Sequence, residues 1–152
     1  AQALMVFDTW GGLLTPAAYR DFSLQHLQRI SMALKANPIT RDVPLILFSK
    51  GANGHLEALA DSGCQALGLD WTISLNEARQ RVGNRVALQG NLDPSVLQAN
   101  PEAIRAEVKN TLESFGTGYG HIFNLGHGIT PDIQPEHVKV LVDAVHEFSA
   151  RA

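Results

Sequence analysis

Short runs of apolar residues alternate along this chain with longer stretches in which apolar residues return every three or four positions. The short runs, at 3–7, 44–48, 66–69, 86–88 and 121–124, read as strands. The longer stretches, at 16–36, 53–62, 74–82, 101–115 and 135–150, read as helices. Two of these carry a plain core-facing stripe: Ile104, Val108, Leu112 and Phe115 in one, and Val138, Leu141, Val142, Val145 and Phe148 in the other. On the first helix the stripe reads Tyr19, Phe22, His26, Ile30 and Leu34, which makes His26 a packing histidine. Thr15-Pro16, Asn100-Pro101 and Gln134-Pro135 put proline at a first helical position, where its missing N–H costs nothing. Gly63, Gly83 and Gly116 follow helical stretches, as closing residues with left-handed backbone do.

Five strand–helix units in succession predict a parallel sheet with helical crossovers, an α/β fold in a single domain over 1–152. Two architectures satisfy the pattern. One is a free-standing five-stranded doubly wound parallel sheet, which the length suits. The other is five units of a (β/α)8 TIM barrel whose first three units are absent. The abrupt start favours the second, because the chain opens Ala1-Gln2-Ala3-Leu4 without an initiator methionine and enters an apolar run almost at once.

Composition narrows the class of partner. The 152 residues carry 12 Lys+Arg against 15 Asp+Glu, a net charge of −3, with 45% hydrophobic residues. That is enough for one core, and the wrong sign for a groove that grips phosphates. No window approaches the roughly 20 apolar residues that span a bilayer. The expectation is a cytoplasmic chain with no nucleic-acid or membrane partner. Cys64 is the single cysteine, so an internal disulfide or a cysteine-rich zinc cage is excluded, and its default place is as a small buried apolar residue. No His-Glu-x-x-His pair occurs, and no metal is expected.

In either architecture a ligand meets the C-terminal ends of the strands. Those ends read Asp8-Thr9-Trp10-Gly11-Gly12, Ser49-Lys50-Gly51-Ala52-Asn53-Gly54-His55, Asp70-Trp71-Thr72, Gln89-Gly90-Asn91-Leu92-Asp93-Pro94 and Leu125-Gly126-His127-Gly128. Polar side chains and glycines cluster there, while the opposite ends are plain. His127, between two glycines, either points its imidazole into the mouth or bonds a neighbouring carbonyl. Thr9 is either a hydroxyl donor to a carboxylate or an ordinary turn residue. Asp70 and Asp93 are either ligands or acceptors for loop N–H groups. Trp10 and Trp71 wall the cavity or pack on helices. His55 and His137 fall in first helical turns. The glycine-rich Gly116-Thr117-Gly118-Tyr119-Gly120 lies between a helix and a strand, the reverse of a dinucleotide fingerprint. The loop 50–54 lacks the Gly-Lys-Ser/Thr ending of a phosphate loop.

Four of these segments together resemble the uroporphyrinogen decarboxylase family. They are Val6-Phe7-Asp8-Thr9-Trp10-Gly11-Gly12, Gly68-Leu69-Asp70-Trp71, Leu88-Gln89-Gly90-Asn91-Leu92-Asp93-Pro94 and Asn124-Leu125-Gly126-His127-Gly128-Ile129, in the family's order and spacing. The resemblance covers essentially the whole chain. It implies the C-terminal five βα units of a (β/α)8 barrel, with the N-terminal part before Ala1. It further implies that Thr9 and His127 bind substrate and that Phe7 lines the cleft. The family's catalytic aspartate, its carboxylate-gripping arginine motif and a cleft tyrosine are expected before Ala1, so no catalytic residue is expected here and the segment alone is expected to be inactive. The implied reaction removes the four acetate carboxyls of uroporphyrinogen III, giving coproporphyrinogen III in haem and porphyrin biosynthesis, without metal or organic cofactor and in a homodimer. The competing resemblance is to corrinoid-dependent methyltransferases of the same superfamily, which hold zinc through a His-x-Cys pair and a later Cys. At the corresponding strand end this chain has Ser49-Lys50-Gly51, and Cys64 is its only thiol. A doubly wound binding module without catalysis is the third reading.

Overall fold

The computed structural model of the chain describes residues 1–83 and 85–149. Five strands, β1 (Leu4–Asp8), β2 (Leu45–Ser49), β3 (Ala66–Gly68), β4 (Ala87–Leu92) and β5 (His121–Leu125), form one sheet. The helices are α1 (Pro16–Tyr19), α2 (Gln25–Ala36), α3 (Leu56–Ala60), α4 (Leu75–Val82), α5 (Pro101–Phe115) and α6 (Pro135–Ser149). The end of the last helix expected at residue 150 lies outside the described residues. No helix among them is long and apolar enough to cross a membrane.

Every strand pairs in parallel with its successor, so the order across the sheet is β1-β2-β3-β4-β5. A doubly wound sheet reverses its winding partway across and covers both faces with helices. Neither happens here. The register puts Leu4 beside Leu45, Val6 beside Leu47, Leu47 beside Leu67 and Leu67 beside Leu88. These side chains pack on Tyr19, Leu27, Leu56, Leu75, Ala78 and Val82 from the helices in one core cluster. Phe123 and Leu125 of β5 pack on the same side, against the cluster of Ile104, Val108, Leu141 and Ala144. Leu45, Leu47, Leu67 and Leu88 are almost wholly buried, and each such leucine contributes about 1.5–3 kcal/mol. All the helices thus cover one face, the arrangement of an arc of a barrel wall. The free-standing doubly wound sheet is excluded.

The other face is left open. Met5 lies beside Ile46, Phe7 beside Phe48, Phe48 beside Gly68 and Gly68 beside Gln89. Phe7 is 66% exposed and Ile122 43% exposed, large apolar side chains that an inward barrel face displays. Gly68 leaves room for Phe48, whose side chain would lie only 3.0 Å from a Cβ placed there.

Local signals set the helix ends. The side chains of Thr15, Ser74 and Asn100 accept hydrogen bonds from the N–H groups of Ala18, Glu77 and Ala103. Gly83 and Gly116 close α4 and α5 with φ of 52° and 83°, where a side chain would be strained. One expectation fails inside the first helical stretch. Between α1 and α2 the backbone makes a π-helical turn over Arg20–Leu24, and its extra residue shifts the stripe. Tyr19, Ser23, Leu24, Leu27 and Ser31 face the core, whereas Phe22 is 74% exposed and His26 is exposed rather than packed.

Candidate functional site

The C-terminal ends of the strands and the open sheet face together bound a cavity of about 530 Å³. Met5, Phe7, Phe48, Gly68 and Gln89 form its floor, and Thr9, Asn124, His127, Gly128 and Ile129 its rim. Phe7 and Phe48 meet edge to face, with centroids 6.0 Å apart, and the Gln89 amide approaches Met5 Sδ at 3.7 Å. The floor is apolar apart from Gln89, and the rim is polar. Such a surface suits a flat apolar ligand with polar groups at its periphery.

Three residues named from the sequence come together here: Phe7, Thr9 and His127 all line this one cavity. Thr9 and His127 are exposed, and neither side chain hydrogen-bonds to another described residue. Both are therefore open to a ligand.

The acidic residues beside them serve the loops. Asp8 accepts hydrogen bonds from the Gly11 N–H (2.9 Å), the Ser23 hydroxyl (2.5 Å) and the Ser49 hydroxyl (2.9 Å). Asp70 accepts from the Gly51 N–H (2.5 Å), the Thr72 N–H (2.8 Å) and the Thr72 hydroxyl (2.5 Å). Burial works against the ionised form of Asp70, yet the donors from Thr72, Gly51 and Asn53 outweigh it and hold the carboxyl below its usual range. Asp93 caps the 3-10 turn Pro94–Gln98 through the Ser95 N–H at 2.9 Å. Of the two roles open to Asp70 and Asp93, the structure gives both the loop role.

Behind the β1 and β2 ends, Tyr19 is fully buried and stacks on His55 at 4.2 Å between centroids. Burial pushes the Tyr19 phenol above its ordinary range and, with Arg20 nearby, pushes the His55 imidazole below its own. The His137 Nδ1–H donates to the Leu97 carbonyl (2.6 Å), a contact at the start of α6. Cys64 is buried with its thiol against the Leu59 carbonyl and pushed up to about 11, chiefly by burial.

The tryptophans depart from expectation. Trp10 is 72% exposed and neither walls the cavity nor packs on a helix. Trp71 stands beside the cavity, packed so closely on the β5 loop that a Cβ at Gly126 would lie 2.8 Å from the Trp71 nitrogen. Gly126 is required by that approach. Sequence reasoning missed the floor residues Met5, Phe48 and Gln89. β1 and β2 are apolar at alternate and intervening positions alike, so nothing in the pattern says which face looks inward. Among the described residues, no three His, Cys, Asp or Glu side chains gather as a metal site.

Comparison with known proteins matches residues 1–148 to the family model described as uroporphyrinogen decarboxylase. A uroporphyrinogen decarboxylase of Pseudoalteromonas translucida is 56% identical over 151 residues, 99% of this chain and 43% of its own length. The relative of the same name in Hahella chejuensis is 58% identical over 150 residues, covering 99% of this chain and 42% of that protein. Thioalkalivibrio sulfidiphilus has one 59% identical over 147 residues, at 97% and 42% coverage. The chain thus spans a little over two-fifths of the length of these relatives. Among solved structures, a methyltransferase from Methanosarcina mazei superposes with a TM-score of 0.79 at 27% identity, over 97% of this chain and 42% of that one.

Proposed function

The chain belongs to the uroporphyrinogen decarboxylase family, and from that premise we propose that it forms the C-terminal five βα units of a (β/α)8 barrel enzyme. That enzyme converts uroporphyrinogen III to coproporphyrinogen III in the cytoplasm, as a homodimer, by removing four acetate carboxyls. The observation that carries this reading is the shape and chemistry of the cavity. An apolar floor built on Phe7 and Phe48 lies under a rim bearing the unpartnered Thr9 hydroxyl and His127 imidazole. A tetrapyrrole ringed by carboxylates matches both.

The chemistry divides between this segment and the rest of the enzyme. Protonation of an electron-rich pyrrole makes a cation that accepts the electron pair released when the C–C bond to the carboxylate breaks. Carbon dioxide leaves, a proton adds to the exocyclic methylene to complete the methyl group, and the proton first placed on the ring departs and restores the pyrrole. No external oxidant, reductant or organic cofactor is needed. The protein must offset the positive charge of the intermediate and fix the carboxylates. Thr9 donates a neutral hydrogen bond to a carboxylate, and a protonated His127 adds a charged one. Neither can offset the cation. The acidic groups at the β1 and β3 ends, Asp8 and Asp70, have their oxygens committed to neighbouring donors. The family resemblance implies that the compensating carboxylate belongs to the part of the enzyme outside this segment, so the proposal takes this segment alone to be inactive.

The likeness to a methyltransferase favours a second reading, methyl transfer from a thiolate held on zinc. The residues oppose it: Ser49, Lys50 and Gly51 supply no thiolate at the β2 end, and Cys64 is buried in a turn beside the Leu59 carbonyl. The test is equilibrium binding of uroporphyrin to the full-length protein, with Thr9→Val and His127→Ala alongside. Each substitution weakens binding by about tenfold, the loss of one charge-assisted hydrogen bond. Unchanged affinity in both variants would remove this cavity as the tetrapyrrole site.

A further inference from the structure

We infer that Lys50 is a further substrate-binding residue, whose ammonium takes one of the peripheral carboxylates of the tetrapyrrole. The inference rests on the decarboxylase reading above. Lys50 is the first residue after β2, half-buried, and its backbone is locked to the loop that carries Thr9. The Lys50 N–H donates to the Asp8 carbonyl (2.9 Å), and the Gly12 N–H donates to the Lys50 carbonyl (3.1 Å). From that anchor the side chain reaches the loop after β3, where its Nζ stands 5.4 Å from the centroid of the Trp71 ring. Trp71 in turn packs on Gly126, the neighbour of His127. Lys50 follows the β2 end as Thr9 follows the paired β1 end, and its ammonium lies over the ring that packs against the loop carrying His127.

The carboxylates of the two adjoining loops are already engaged. Asp8 and Asp70 are filled by loop donors, and Lys50 forms no ion pair with a described acidic residue. The aromatic face under the ammonium holds a cation in place without neutralising it. Lys50 therefore has no carboxylate partner among the described residues, and a substrate carboxylate is the partner of matching chemistry.

The experiment uses the full-length protein containing this segment, with uroporphyrin as the non-reacting octacarboxylate probe and uroporphyrinogen for turnover. Lys50→Met keeps an apolar stem on Trp71 and removes the charge. It should weaken uroporphyrin binding by about tenfold, flatten the dependence of that binding on salt and raise KM more than it lowers kcat. Lys50→Arg should restore affinity to within about threefold. Lys109→Met, on the outer face of α5, should bind like the parent and controls for overall charge. Thermal midpoints establish that each variant is folded, and Lys50→Gln serves if the methionine variant is not. Parental affinity in Lys50→Met or Lys50→Gln, while the parent still decarboxylates, would overturn the inference and leave the family reading intact. Equal losses in Lys50→Met and Lys50→Arg would also overturn it, by showing a packing role. A parent that neither binds uroporphyrin nor decarboxylates would overturn both.

Discussion

The Ser49 hydroxyl donates to the Asp8 carboxylate at 2.9 Å, tying the ends of β1 and β2 together on the helix-covered side of the sheet. The same carboxylate holds Ser23 and the Gly11 N–H, so one side chain joins two strand ends to the helical stretch behind them. Asp8→Ala would strand three donors, and buried donors without acceptors cost roughly 1–3 kcal/mol each before relaxation. Urea unfolding should show a loss of about 3 kcal/mol, with Asp8→Asn losing less. Gly11→Ala should be comparably harmful, because a Cβ there would lie 2.0 Å from Asp8 Oδ2. Wild-type stability in Asp8→Ala would show that the clamp is dispensable.

Acid should weaken the fold through two carboxylates. Hydrogen bonds hold Asp70 below its usual range despite burial, and the Arg81 guanidinium brings Glu57 to about 2. Each therefore binds its proton at lower pH in the folded chain than in the unfolded one. Their stabilisation is fully present above the ordinary carboxylate range, near pH 4, and drains away as the pH falls through the lowered native values. Glu57 is half exposed, so its share is that of a surface pair, about 0.2–1 kcal/mol. Unfolding free energies from pH 7 to pH 3 should fall less steeply in Asp70→Asn and in Glu57→Gln than in the parent. Parallel curves would contradict the assignment.

Cys64 should be inert in the native chain. Burial pushes its thiol up to about 11 and shuts out reagents. Iodoacetamide at pH 8 should leave the Cys64 peptide unmodified by mass spectrometry, and should alkylate it fully in urea. Rapid native alkylation would place the thiol at the surface.

The open sheet face makes a separate prediction for the 152-residue chain expressed alone. Phe7 and Ile122 stand exposed on it, next to Met5 and Phe48. The isolated chain should bind the apolar dye ANS and associate with rising concentration, and Phe7→Ser should reduce both. A dye-silent monomer would mean that this face is covered.

Much of the architecture is legible in the sequence because local signals agree with the pattern. Asn100 caps, Pro101 starts and Gly116 closes a helix whose stripe Ile104, Val108 and Phe115 is buried, so α5 falls where the periodicity puts it. β4 was harder to read. It runs on through the polar Gln89-Gly90-Asn91 to Leu92, because the Asn91 amide donates to the Asp70 and Ile73 carbonyls inside the fold. A sequence shows the asparagine but not those acceptors. His26 departs from the stripe for a related reason. One extra backbone residue in the turn Arg20–Leu24 rotates the helix, and no single residue announces it. Strand-end position makes Thr9 and His127 candidates and the family resemblance supplies their expected role, whereas Met5, Phe48 and Gln89 are visible only once the register selects the inward face.

Anaerobic turnover of uroporphyrinogen by the full-length protein tests the central claim most directly, with oxidised products resolved by the number of carboxylates they retain. A decarboxylase yields species with seven, six, five and finally four carboxylates, and Thr9→Val and His127→Ala slow their appearance. Substrate left with all eight carboxylates, from folded full-length protein, would contradict it.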